Sequence, residues 1–324
     1  MPFHMVWLAT HACQLRCRHC SSSSELRRPD ELTTAEARGL FDQLAVAGVV
    51  DLSISGGEPL LRKDIFELIE YAKYMGFAVG LGSHGAKLSK SQATHFREAG
   101  LDRFQVSLDG LVSAHETLRR FPGLFWRALA AIELALSAGL RVHVCCTINR
   151  LNVRELGALV ELAAQHGVHR VNFSRYVPTG RGTEELDIPD TEWQNVARQC
   201  IELRKQYRGT LEITSHLAQQ ILVDEDVRTM PGHIGCQAGA GQGCVTTNGT
   251  VYPCVLLPIP LGSIRDRPFR EIWASSPVNQ ALRNRANLKG KCGTCAVRDR
   301  CGGCRAVAYT RTGDYLAPDT RCWC

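Results

Sequence analysis

The chain has 324 residues, 44% of them hydrophobic and 22% charged, which supplies a large core and suggests one to three domains. Its 29 glycines, 13 prolines and 7% aromatics exclude fibrous and disordered classes, and no apolar run reaches the roughly 18 residues of a membrane span. Fifteen cysteines, an odd number, in a chain this long and without a secretory leader argue against a disulfide scaffold and for metal bound in the reducing cytoplasm.

His4 to Ala9 reads as a strand, and a helix begins near Thr34 with Leu40, Phe41 and Leu44 at helical spacing. Val49 to Ser55 is a buried-strand pattern, Ile65 to Met75 a helix and Phe77 to Leu81 extended. Ser91 to Ala99 is helical, Arg103 to Leu108 a strand, and Phe125 to Ala138 an apolar helix closed by Gly139. Arg141 to Ile148 and Val168 to Arg175 are strands flanking a helix from Val153 to Gln165. Six strand–helix units in series predict a parallel sheet with its helices outside, where right-handed crossovers place them. The expected fold is α/β, a partial (β/α)6 TIM-like barrel over residues 1–185, since a full eight-unit barrel needs roughly 250 residues. Residues 186–232, with a loop, a helix over Thr191 to Tyr207 and a short strand over Leu211 to Thr214, read as a linker. Residues 233–324 are dense in Gly and Cys and poor in periodic helices.

Charge is uneven. From His233 onward there are 12 Lys/Arg and 5 Asp/Glu, a net of +7, against −1 for the rest. An acidic partner is one reading, and an offset to metal-bound thiolates in the same stretch is the other. No aromatic interleaving suggests stacked bases, so no nucleic-acid partner is expected.

Cys13, Cys17 and Cys20 form C-x3-C-x2-C in the loop after the first strand. Three thiolates on one loop hold three irons of a [4Fe–4S] cube and leave the fourth open to a small chelating molecule. A zinc loop completed by His11 or His19 is the alternative, but this loop follows a barrel strand at its C-terminal end, where active sites gather. The second strand runs into Gly56-Gly57-Glu58-Pro59. Two glycines let backbone approach a ligand, Glu58 can accept hydrogen bonds from an ammonium, and Pro59 stiffens the turn.

With this pair of motifs the chain resembles the radical S-adenosylmethionine enzymes from about His4 to Arg175. The resemblance implies that S-adenosylmethionine chelates the unique iron. Reduction by an electron donor such as flavodoxin or ferredoxin then yields methionine and a 5′-deoxyadenosyl radical, which abstracts a substrate hydrogen. It implies that Gly56, Gly57 and Glu58, with Pro59, contact the methionine ammonium. Ser107 and Asp109, with Arg119, match the segment whose serine and arginine hold the ribose and carboxylate. A surface position beside Arg120 is the alternative for Arg119. Ser83-His84-Gly85 departs from the Thr-Asn-Gly of many relatives, which makes His84 a candidate specificity residue.

The later cysteines read Cys236-x7-Cys244-x9-Cys254, then Cys292-x2-Cys295-x5-Cys301-x2-Cys304, then Cys322. Eight thiolates suffice for two four-cysteine clusters, although Cys292, Cys295, Cys301 and Cys304 alone also fit zinc. Asn248-Gly249 predicts a hairpin turn. This stretch resembles the SPASM domain, so a Gly/Cys-rich C-terminal iron–sulfur domain is expected. The last spacing is x2 where many members have x3. The resemblance implies an inner cluster on Cys236, Cys244, Cys254 and Cys304, and an outer one on Cys292, Cys295, Cys301 and Cys322. That makes three [4Fe–4S] clusters in all. Leu288 to Gly293, Cys301 to Ala306 and Gly313 to Ala317 are similar to the subgroup of mycofactocin and pyrroloquinoline quinone maturases and haem-pathway enzymes.

Cys145, Cys146, Cys200 and Cys324 remain. One of the adjacent Cys145 and Cys146 must face the barrel interior. Cys146 is taken as a candidate catalytic hydrogen donor or acid, the alternative being a small buried hydrophobe. Arg175, ending the sixth strand, is the second catalytic candidate. Cys324 competes with Cys322 as a ligand.

The leading functional reading is modification of a ribosomally synthesised peptide. A separate recognition protein is then expected, because no recognition domain precedes the first strand. The alternative is a small-molecule radical reaction such as porphyrin propionate decarboxylation, which a basic C-terminal surface suits. A non-catalytic iron–sulfur carrier would need neither an open iron nor Gly-Gly-Glu-Pro. No membrane partner is expected.

Overall fold

The computed structural model describes residues 1–324. Seven parallel strands follow one another in space as in sequence. They are β1 (His4–Leu8), β2 (Asp51–Ser55), β3 (Ala78–Ser83), β4 (Arg103–Ser107), β5 (Val142–Ile148), β6 (Arg170–Arg175) and β7 (Glu212–His216). The crossovers carry α1 (Thr34–Val46), α2 (Ile65–Tyr74), α3 (Lys90–Glu98), α4 (Val112–Arg119), α5 (Leu124–Ser137), α6 (Leu156–Gln165) and α7 (Glu192–Gln206). The start of α1 is set by a capping box in which Glu36 N–H donates to Thr33 Oγ1 and Thr33 N–H to Glu36 Oε2. Ser89 and Gln92 repeat the device on α3.

Burial alternates along the strands. Met5, Trp7, Leu52, Ile54, Phe104, Val106, Val171 and Phe173 are fully buried against the helices. Their neighbours on the other face are only partly buried: His4, Asp51, Ser53, Ser55, Arg103, Gln105, Ser107, Arg170, Asn172 and Ser174. A parallel sheet is ordinarily apolar on both faces. Here the face away from the helices is polar and tied by pairs such as Arg170–Glu212 at 2.7 Å. A polar barrel interior is where a charged ligand can be received.

Residues 186–232 are more than the linker the sequence suggested. They supply α7 and β7, and β7 adds to β6 in parallel, Arg170 opposite Glu212. The short strand expected over Leu211 to Thr214 is this β7, and what its short, partly hydrophilic alternation did not show is that it extends the barrel sheet. Beyond α8 (Glu225–Thr229), the chain returns to the other edge of the sheet. β8 (Gln242–Val245) pairs in parallel with β1, His4 opposite Gln242. β9 (Thr250–Tyr252) and β10 (Gly262–Ser263) continue antiparallel, with the expected turn at Asn248-Gly249, where Gly249 has φ +89°.

The C-terminal region also holds more helix than its sequence suggested: α9 (Phe269–Ser275), α10 (Pro277–Arg283), α11 (Gly290–Thr294), α12 (Arg298–Cys301) and α13 (Arg305–Thr312). They are too short for periodicity to show. Phe269, Ile272 and Trp273 join Met5, Trp7 and Phe41 in one core of 61 residues. No helix is long and apolar enough to cross a membrane.

Candidate active site and cysteine centres

The loop leaving β1 is held from several sides. Cys13 N–H donates to Glu25 carbonyl at 2.9 Å, and buried Glu31 accepts from His11 N–H at 2.7 Å and Thr10 Oγ1 at 2.9 Å. Arg181, from the segment after β6, donates to the carbonyls of Cys17 and Ser24 at 3.1 and 3.0 Å. Cys17, buried with Leu15 and Leu124, and the partly buried Cys13 and Cys20 border one small apolar cluster. Burial pushes the Cys13 thiol up to about 11, so its thiolate form requires a bound cation.

Gly-Gly-Glu-Pro packs on this loop. Gly57 N–H donates to Thr10 carbonyl and Glu58 N–H to Ala12 carbonyl, both at 2.7 Å. A Cβ on Gly56 would stand 2.6 Å from Thr10 O, and one on Gly57 would overlap Ala12 O. The glycines therefore admit the backbone of the cysteine loop on the side where a Cβ would stand. Gly57→Ala should displace Cys13 and cost one cluster's worth of iron while the C-terminal iron stays, as iron analysis of reconstituted protein would check; overpacking of this kind costs about 1–3 kcal/mol.

Glu58 is 1% exposed. Burial raises its carboxyl to about 7, against hydrogen bonds from His84 N–H at 3.0 Å, Leu60 N–H at 3.1 Å and Ser83 Oγ at 2.9 Å. These bonds lock the β2 turn to the end of β3. Pro59 opens the following 3-10 turn. His84 Nε2 lies 3.0 Å from Glu58 Oε2 and 3.1 Å from Gln14 Oε1, while Nδ1 accepts from Ala86 N–H at 3.1 Å. His84 thus braces the motif against the cysteine loop.

Asp109 and Arg119 form a buried pair. Arg119 Nε donates to Asp109 Oδ2 at 2.8 Å, and its Nη1 lies 4.0 Å from Cys17 Sγ. Burial opposes charge on Asp109, but Arg119, His19, His115 and the Thr147 N–H outweigh it and hold the carboxyl at about 2. This pairing removes the surface alternative for Arg119 and leaves Asp109 as the group that orients it. Ser107 ends β4 beside Cys145 on the interior face. His19, 3.6 Å from Asp109, is a participant that sequence reasoning considered only as a zinc ligand.

Of the two catalytic candidates, Cys146 lies on the helix side of its strand, and Arg175 ends β6 as expected. Cys146 is 0% exposed and belongs to the helix-side core with Cys200. Its neighbour Cys145 faces the interior, with Ser174 Oγ at 3.6 Å and Asn172 Nδ2 at 3.8 Å. The two-residue period of a strand allows only one of them inside, and it is Cys145. Cys146→Ala should lower stability by about 1 kcal/mol without changing turnover, measurable by thermal melts and product assay. Arg175 is 4% exposed and points away from the interior. It donates to Asp319 at 3.1 Å and Gln219 at 2.9 Å, and its guanidinium stacks 4.8 Å from the Trp193 ring centroid. It is a structural tie to the C-terminal region.

The later cysteines gather in two places. Cys236, Cys254 and Cys304 border one apolar cluster with Val177, Leu257 and Val307, and burial, with Cys254 nearby, opposes ionisation of the fully buried Cys244. Cys292, Cys295, Cys301, Cys322 and Cys324 line a separate cavity of about 330 Å³. Asp319, 0% exposed, stands between them: its carboxylate accepts from Cys304 N–H at 2.7 Å and its own N–H faces Cys292 Sγ at 3.4 Å. Arg321 anchors the following residues through Asp187 at 2.6 Å.

A parallel sheet with a three-cysteine loop at the C-terminal end of its first strand defines a radical enzyme scaffold. The radical SAM superfamily profile matches residues 7–174, and an iron–sulfur cluster-binding domain profile matches residues 236–296. The chain belongs to the radical SAM superfamily and is an enzyme that binds a [4Fe–4S] cluster and S-adenosylmethionine. It is 36% identical to the AdoMet-dependent heme synthase of Methanosarcina barkeri, over 99% of this chain and 96% of that one. It is also 31% identical to the PqqA peptide cyclase of Streptomyces rochei, over 99% and 89%. Among solved structures, Streptococcus suis SuiB bound to S-adenosylmethionine superposes with a TM-score of 0.82 at 16% identity, covering 100% of this chain and 78% of that one.

Proposed function

We propose that this enzyme acts on an iron tetrapyrrole, oxidatively decarboxylating its propionate side chains. The observation that carries the reading is a cavity of about 220 Å³ at the barrel mouth. Gly56 and the Ser21–Ser24 segment form one side, and Thr246, Thr250, Tyr252 and Val255 the other. It is lined by hydroxyls and Arg28, donors that suit carboxylates. A substrate reaching into it lies between the Cys20 loop and the residue after Cys254. The near end-to-end likeness to a heme synthase supports the same reading.

Cys13, Cys17 and Cys20 are proposed to hold the first cluster, Cys236, Cys244, Cys254 and Cys304 the inner auxiliary cluster, and Cys292, Cys295, Cys301 and Cys322 the outer. Cys292, Cys295, Cys301 and Cys322 lining one cavity, and Cys13, Cys17 and Cys20 bordering one apolar cluster, suit clusters that take one thiolate per iron. When bound, the first cluster and S-adenosylmethionine supply the deoxyadenosyl radical. Gly56, Gly57, Glu58 and Pro59 shape that site, Ser107 lines it, and Asp109 orients Arg119 toward it. From each propionate the deoxyadenosyl radical would take one hydrogen atom, carbon dioxide would leave, and the one remaining electron would pass to an oxidised auxiliary cluster held by the later cysteines, so that a vinyl group remains. A flavodoxin or ferredoxin is the proposed reductant.

Peptide modification is the second reading, favoured by the PqqA peptide cyclase likeness, and it calls for a separate recognition protein. Reconstituted enzyme, with about twelve irons per chain, is given dithionite, S-adenosylmethionine and iron coproporphyrin III. Vinyl products by mass spectrometry support the proposal. Intact porphyrin alongside modification of a PqqA-type peptide overturns it.

A further inference from the structure

Two arginines near the outer cysteines hydrogen-bond only neutral groups; the charge of one, Arg305, is felt by Asp314, but that carboxylate is at the surface and already paired with Lys289 at 2.6 Å. Arg305, the first residue of α13, is 0% exposed. Its Nη1 donates to Ala317 carbonyl at 2.7 Å and Tyr315 carbonyl at 3.2 Å, its Nε to Gly303 carbonyl at 3.4 Å, and its Nη2 faces Cys292 Sγ at 3.8 Å. These contacts are three carbonyls and one sulfur. By contrast, buried Arg119, Arg175 and Arg321 each hold an aspartate, at 2.7, 3.1 and 2.6 Å. Arg285, 9% exposed, donates to Cys236 carbonyl, and its Nη1 is buried without a partner.

The backbone is shaped around these two side chains. Gly302 and Gly303 lie between Cys301 and Cys304, with φ of +70° and +58°. A Cβ on Gly303 would stand 2.6 Å from Arg305 Nη2 and 3.3 Å from Cys292 Sγ, and one on Gly302 would overlap the Arg285 guanidinium. A guanidinium in a dry interior is strongly unfavourable unless an anion balances it; carbonyls solvate the charge without cancelling it. The group Arg305 faces is a cysteine sulfur, and a four-thiolate iron–sulfur cluster is a net anion.

We propose that Arg305 is the dedicated counter-cation of the outer cluster and raises its reduction potential. The inference rests on the reading of Cys292, Cys295, Cys301 and Cys322 as cluster ligands. Reduction adds negative charge to the cluster, and a fixed cation beside a ligand sulfur stabilises that state. Removing the cation therefore lowers the potential.

The test uses full-length reconstituted protein with Cys13, Cys17 and Cys20 replaced by alanine, leaving only the auxiliary clusters. Iron and zinc are counted, and midpoint potentials are read by EPR-monitored titration. Arg305→Gln is expected to make one of the two reductions at least tenfold less favourable, about 59 mV for one electron, and to leave the other unchanged. Arg305→Lys should recover most of the shift. Full iron with both potentials unmoved in Arg305→Gln overturns the proposal. If Arg305→Gln sheds the outer iron, retention in Arg305→Lys supports a charge role, and loss in both overturns it. Zinc in place of a second titrating cluster, before any change at Arg305, overturns the ligand reading and the proposal with it.

Discussion

Protein carrying Cys13→Ala, Cys17→Ala and Cys20→Ala together is expected to form no 5′-deoxyadenosine above background, while keeping roughly two thirds of its iron, two cubes of three. The two halves of this result follow from different parts of the molecule. The three thiols share one loop, pinned by Glu31, Arg181 and the Gly56–Glu58 backbone, and nothing else in that loop offers a thiolate. Cys292, Cys301 and Cys244 stand on α11, α12 and β8, and the hairpin's contacts with the loop region run through Asp30 and Leu32, beyond the three cysteines. Alanine removes thiolates without adding bulk, so the loop's backbone contacts survive. Liquid chromatography for deoxyadenosine and iron analysis on the same sample check both halves. Persistent cleavage would move the chemistry elsewhere in the chain.

The second large effect is on stability. Asp319→Ala should destabilise the protein by about 3–5 kcal/mol, the cost of stranding one member of a buried ion pair. Arg175 would keep its charge in a site 4% exposed, with Gln219 and the Trp193 ring as its remaining contacts and Asp187, already paired with Arg321, as the other carboxylate that feels it. Cys304 N–H would lose its acceptor as well. A matched double substitution, Arg175→Met with Asp319→Leu, should recover much of the loss, because neither charge is then stranded. Thermal melts of the parent protein, Asp319→Ala and the double variant measure this. Equal losses in the single and double variants would show that packing, not charge, holds the seam.

Much of the barrel was legible because its helix-facing residues carry the apolar period: Leu40, Phe41 and Leu44 on α1, or Ala128, Leu129 and Ile132 on α5, are buried as their spacing implies. That the cysteines serve as metal ligands was legible because thiols at such spacings have few other uses in a long chain, whereas spacing alone put Cys304 with Cys292, Cys295 and Cys301, and its place beside Cys236 and Cys254 shows only in the fold. What escaped was set by contacts between distant segments. α4 has only Ala114 and Leu118 as buried apolar residues, so no stripe announces it, yet it carries Arg119. The choice between Cys145 and Cys146 turns on strand phase, which two adjacent identical residues cannot reveal. Arg175 was correctly placed at a strand end, but its partner Asp319 is far along the chain. Pro318-Asp319, just ahead of Cys322, was the one local hint that an acidic residue serves the cysteine region.

The pairing of β1 with β8 has a consequence for synthesis. β1 lies between β2 and β8, so the first strand made receives one of its neighbours only after residue 242 has left the ribosome. Until then its outer edge presents unpaired N–H and C=O groups, the kind of edge that recruits other chains. A nascent chain stopped short of Gln242 carries every barrel helix and still lacks this cover. Protection of the newborn sheet therefore depends on the segment around β8 arriving in time, or on a chaperone that holds the edge meanwhile.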